Sequence, residues 1–166
     1  MKSTEMLELL RAFHHDKLAM RQRHVAAAQV VSDYNFNNTY QYIIAREDMH
    51  VRWLADAVLD LGGQADEAVD GDLRPKGKGR DAQRSVIADD SDGAQRFLDK
   101  WRPRIDALPN ARHRTMLNVI LGETLEHKRF FDLALAGRED LLGRRADGAG
   151  TGGGVMGDRW VGDLTK

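Results

Sequence analysis

The first 61 residues contain neither proline nor glycine. Nothing there forces the backbone to turn, and β-branched runs and strict alternation are scarce, so the stretch reads as helix. Apolar residues recur at three- and four-residue steps. Met6, Leu9, Leu10, Phe13, Met20, Ala27 and Val31 make one stripe; Tyr40, Ile43, Ile44, Val51, Leu54, Val58 and Leu61 make another. Stripes of that period are the buried faces of amphipathic helices. A first helix is predicted over 4–31, capped by Ser3 or Thr4. Ser32-Asp33-Tyr34-Asn35 interrupts the pattern, Asn37-Asn38 offers the next cap, and a second helix is predicted over 38–61. Gly62-Gly63 ends it as C-terminal glycines do.

Residues 62–80 hold Gly62, Gly63, Gly71, Gly77 and Gly79, with Pro75 inside the basic run Arg74-Pro75-Lys76-Gly77-Lys78-Gly79-Arg80. They read as the long crossover that joins two helical hairpins in some bundles. The basic run lacks the strand-and-helix context of a phosphate loop and is expected to be a solvated loop. A third helix is predicted in two pieces, 80–88 and 92–107, with Pro103 kinking or ending the second. Pro109-Asn110 turns the chain into a fourth helix over 110–136, striped by Met116, Leu117, Ile120, Leu121, Phe130, Phe131 and Ala134. Gly137 stops it. These elements predict an all-α, antiparallel four-helix bundle over 1–142 with a crossover between helices two and three.

Beyond 142 the composition changes. Seven glycines fall within 143–157, and Val155, Met156, Trp160 and Val161 follow on that tether. Residues 143–166 are expected to carry an apolar docking segment for the bundle itself, a neighbouring copy or a separate partner. No cysteine occurs in the 166 residues, which removes disulfides, thiolate metal sites and thiol nucleophiles. Twenty-five basic against 26 acidic residues, net charge −1, argues against a general nucleic-acid binder. No 18-residue apolar run and no apolar segment behind the first residues are seen, so neither a membrane span nor a secretory signal is expected, and a cytoplasmic location is.

Polar residues interrupt the apolar stripes. Glu47 and His50 continue the second helix's series, and Glu123 and His127 continue the fourth's, with Glu126 three residues after Glu123. Asp16 falls on the stripe of the first helix. The spacings form a weak repeat: Asp16 to Glu47 and Asp92 to Glu123 are both 31 residues, which brings in Asp92. A carboxylate in a core costs several kcal/mol unless it is paired or coordinated, so a cation must lie nearby. One answer is metal: Asp16, Glu47, His50, Asp92, Glu123, Glu126 and His127 are the candidate ligands, and oxygen donors with imidazoles suit iron or manganese and admit zinc. The other answer is an interior polar network with Arg46, Arg52, Arg114 or histidines as partners.

Three stretches resemble the ferritin-like superfamily, in particular rubrerythrin-type and bacterioferritin-type bundles. Leu9-Leu10-Arg11-Ala12-Phe13-His14-His15-Asp16 is similar to the first helix of that family, with Asp16 in the place of its usual glutamate. Glu47-Asp48-Met49-His50 matches its Glu-x-x-His motif, and Glu123-Thr124-Leu125-Glu126-His127-Lys128-Arg129-Phe130-Phe131-Asp132 resembles its fourth-helix segment. The resemblance covers about residues 5–137. It implies carboxylate-bridged di-iron chemistry, ferroxidase or peroxide-reducing, and a homodimer or larger homo-oligomer. The histidine of the fourth helix stands one place late, and the third helix has no glutamate. These departures leave a mononuclear, incomplete or vestigial site open beside the dimetal one, and with it a non-catalytic bundle that serves as an interaction protein.

Overall fold

The computed structural model describes residues 3–71, 73–139 and 141–142. The docking segment expected in 143–166 lies outside the described residues. Four helices appear, α1 (Ser3–Val30), α2 (Tyr34–Asp60), α3 (Arg80–Asp106) and α4 (Ala111–Leu135), and no strand is present among the described residues. None of the helices is long and apolar enough to cross a membrane.

Two boundaries differ from the sequence expectation, each for a local reason. The second helix begins at Tyr34 rather than 38, because Asp33 is the cap: its Oδ1 accepts the Phe36 N–H at 2.8 Å. Asn37, expected to cap, instead donates its amide to the Ala28 and Val31 carbonyls at 2.7 and 3.1 Å, closing the end of α1. The third helix is one continuous element. Pro103 sits inside it near the end, where its missing N–H removes a single bond and the helix stops three residues later. Asn110, placed by the sequence at the turn into the fourth helix, is the cap of α4: its Oδ1 accepts the His113 N–H at 3.0 Å.

The apolar stripes meet in two clusters. One gathers Met6, Leu10 and Phe13 of α1, Leu54 and Val58 of α2, Phe97, Trp101 and Ile105 of α3, and Leu117 and Ile120 of α4. The early part of α1 therefore lies beside the late part of α2, and the late part of α3 beside the early part of α4. The other cluster gathers Ala27, Val31, Phe36, Tyr40, Ile43, Val86, Ile87 and Phe131. α1 packs chiefly on α2 and α3 on α4, with α1 also meeting α3 and α2 meeting α4 most sparsely.

The 61–79 connection is laid over α1. A Cβ built on Gly71 would come within 2.6 Å of the Gln22 carbonyl carbon and the Arg23 backbone nitrogen. Only glycine admits that approach of loop to helix backbone. Between the two apolar clusters every helix places polar side chains inward: His14, Lys17 and His24 from α1, Glu47 and His50 from α2, Asp90 and Ser91 from α3, Thr124 and His127 from α4.

Candidate functional site: a polar layer centred on a lysine

Lys17 lies at the middle of this layer and is fully buried. Its Nζ donates to Glu47 Oε1 at 2.8 Å and to Thr124 Oγ1 at 3.2 Å. The Thr124 hydroxyl donates in turn to the Ile120 carbonyl at 2.8 Å, which leaves its lone pairs facing the ammonium. The Phe97 ring centroid stands 5.4 Å from Nζ. The other Glu47 oxygen, Oε2, lies 2.8 Å from His24 Nδ1. Burial alone would push the Glu47 carboxyl up, but the facing His24 and Lys17 outweigh it and hold Glu47 well below the usual carboxylate range. Burial likewise opposes a charge on His24; Glu47 and Asp90 overcome it, and the His24 pKa is raised.

Asp90 of α3 extends the network. Arg23 Nε donates to its Oδ1 at 2.7 Å, the Tyr40 hydroxyl donates to Oδ2 at 2.5 Å, and His24 Nε2 stands 3.9 Å from Oδ1. Burial and the Asp90 charge together raise the Tyr40 phenol well above its ordinary value. The layer thus runs side chain to side chain from Lys17 through Glu47, His24 and Asp90 to Arg23, each carboxylate set between basic groups.

A second group lies where α2 faces α4. Arg46 spans the two helices and donates through Nη2 and Nε to the Glu123 oxygens at 2.5 and 3.0 Å. His50 Nε2 lies 2.7 Å from Glu123 Oε2. Behind this bridge His50 Nδ1 and both ring nitrogens of His127 are buried without a hydrogen-bond partner. The two imidazole centroids are 6.4 Å apart, with Tyr42 against His127 and Trp53 against His50. Burial is the largest force on both rings, with the Lys17 charge next; it lowers the His50 pKa to about 4 and that of His127 to about 3. Both are neutral imidazoles near pH 7.

Of the seven candidate ligands, Glu47, His50, Glu123 and His127 are brought to this layer. Asp16 is not part of it: half-buried at the rim, it accepts from Trp101 Nε1 at 2.8 Å and from Lys100 Nζ at 2.5 Å. Asp92 and Glu126 are exposed on the outer faces of α3 and α4. The inward carboxylate of α3 is Asp90, two residues before the one the repeat selected. Among the described residues no three His, Asp or Glu side chains stand in an arrangement that could hold a metal ion.

Lys17, His24 and Asp90 were not among the candidates. The signal for the first two is present: Met6, Leu10, Phe13, Lys17, Met20, His24, Ala27 and Val31 step by alternating fours and threes, which keeps all eight on one helix face. For Asp90 the series is Val86, Asp90, Ala94, Phe97, Trp101. A search for carboxylates and histidines as ligands passes over a lysine, since an ammonium cannot coordinate. Comparison of the chain with models of known protein families, with curated proteins and with solved structures finds no match in any of the three.

Proposed function

We propose that the chain is an antiparallel, ferritin-like four-helix bundle in which the Lys17 ammonium takes the place of a metal pair, and that it serves as a non-catalytic interaction protein, paired as a homodimer. The observation that carries this reading is the Lys17–Glu47 contact at 2.8 Å in the fully buried centre. A carboxylate-bridged dimetal centre needs carboxylate oxygens free to bridge. Both Glu47 oxygens are engaged by Lys17 and His24, both Glu123 oxygens by Arg46 and His50, and Asp92 and Glu126 face outward. The interior negative charge is compensated by protein cations, so the donor set does not fit two metal ions. Pairing is supported by Tyr34 and Leu59, large apolar side chains of α2 that are 72% and 68% exposed.

The reading is tested by adding ferrous iron to the purified full chain under oxygen. No oxygen uptake above buffer and no stable iron pair per chain are expected. Catalytic oxygen or peroxide consumption dependent on Glu47 and His50 would instead establish ferroxidase or peroxide-reducing chemistry. Light scattering at micromolar concentration checks the dimer, and a monomer there would remove that part.

A further inference from the structure

We infer that the cleft between α1 and α3, beside the 61–79 connection, is a binding site for a small neutral phenol: one aromatic ring carrying one hydroxyl. The space comes from side-chain size. Ala19 and Met20 of α1 and Gly93 and Ala94 of α3 line the cleft and leave about 210 Å3 unfilled. A dry cavity of about 150 Å3 already holds benzene, so one substituted ring fits here. Gly93 is the informative position. It lies in the middle of α3, where glycine weakens a helix relative to alanine. No close approach requires it: a Cβ there would meet Arg96 Nη2 at 3.8 Å, an ordinary contact. What the missing side chain does is keep the cleft open.

The polar end of the cleft selects the hydroxyl. His24 is 2% exposed, and its Nδ1 is engaged by Glu47 Oε2 at 2.8 Å. Its other ring nitrogen, Nε2, has no hydrogen-bond partner among the described residues. Asp90 Oδ1 stands 3.9 Å from it, beyond hydrogen-bond reach. Asp90 is 1% exposed and is held in place by Arg23 and Tyr40. An unsatisfied polar atom at this depth costs free energy that a ligand can recover. One oxygen atom placed between Nε2 and Oδ1 lies within bonding distance of both. It has to donate to the carboxylate and still present lone pairs to the ring, and a hydroxyl does both. A ligand carboxylate or phosphate would meet Asp90, and Asp70 at the rim, as like charges, and a ligand ammonium would meet the Arg23 guanidinium. The Met20 thioether on the wall favours an aromatic body over an aliphatic one. The site goes beyond the interaction reading above and does not depend on it.

The test uses the full chain and p-cresol, followed by calorimetry and by the 13C-methyl signal of Met20, assigned through its loss in Met20→Leu. Saturation at about one p-cresol per chain is expected, with a Kd at or below ~1 mM and a ring-current shift of the Met20 methyl. Toluene fills the same space without the hydroxyl and should bind ~10-fold or more weakly. Benzoate and benzylamine should not compete at equal concentration. Gly93→Leu, which places a side chain at the cleft, should weaken p-cresol ~10-fold or more without lowering Tm. Asp90→Asn should narrow the difference between p-cresol and toluene. Circular dichroism checks the helix content of both variants, and the ligand series on the unaltered chain decides the matter if either fails to fold. Absence of saturable p-cresol binding, toluene binding as tightly, or benzoate or benzylamine binding more tightly overturns the site. So does binding that leaves the Met20 methyl unmoved or is undiminished in Gly93→Leu.

Discussion

Lys17 and Glu47 decide what the interior of this bundle can be. Each is fully buried, and each would be intolerable alone: an unpaired ion in a core is costlier than the pair by several kcal/mol. Removing one ion should therefore cost far more than removing both. Lys17→Met, which strands Glu47 with only His24 beside it, should lower stability by ~3–5 kcal/mol. Lys17→Met with Glu47→Met, which replaces both ions by apolar side chains of similar length, should recover most of that loss. Urea unfolding of the four members of the cycle measures it; additive losses would mean that the two side chains do not act as a pair. The histidines of the same layer predict the response to acid. In the unfolded chain His50 and His127 take up protons near pH 6.5, whereas the folded pKa values are about 4 and about 3. The unfolded state thus binds more protons in this window, and each ring should reduce stability by up to ~1.4 kcal/mol per pH unit as pH falls from 6.5 toward 4. His24 has the opposite sign: with its pKa raised, its contribution is complete below 6.5 and is lost as pH climbs through the folded value. Glu47, held low, contributes fully above its ordinary value of 4.5 and loses that contribution as pH falls further. Urea unfolding of the protein from pH 8 to 4 checks the shape, and His127→Phe should flatten the acid limb by one ring's share.

At the scale of elements, the sequence shows the four helices and the long connection because proline, glycine and apolar period speak at that scale. It is less clear about where α2 starts, since Asp33 and Asn37-Asn38 are both competent caps and only the tertiary contact of Asn37 with the end of α1 decides between them. Asp33→Ala should cost ~1 kcal/mol by removing the bond to the Phe36 N–H, whereas a cap at 37–38 would leave Asp33 replaceable. The third helix was expected in two pieces, 80–88 and 92–107, but it runs unbroken through 89–91, where Asp90 and Ser91 turn into the core, and Pro103 stands close enough to its end to be tolerated. The path of the connection was hidden, because a glycine in a loop looks the same whether it turns or lets two backbones meet. Gly71 does the second. Gly71→Ala should destabilise by ~1–3 kcal/mol through the collision with Gln22 and Arg23, seen as a lower urea midpoint; an unchanged midpoint would place the loop away from α1.

For the whole molecule, the two apolar clusters form the ends of the bundle and the polar layer its waist. Carboxylates on helical faces were visible in the sequence as needing positive charge; what supplies the charge was not. A metal and a lysine satisfy the same electrostatic demand, and the stepping of Lys17 along the α1 stripe has meaning only once Glu47 is seen opposite it. Iron-edge anomalous diffraction from crystals grown after ferrous iron loading examines that point most directly. The account predicts Lys17 Nζ within hydrogen-bond distance of Glu47 and no pair of anomalous peaks at the waist. Two iron peaks bridged by Glu47, with the Lys17 side chain turned away, would contradict it.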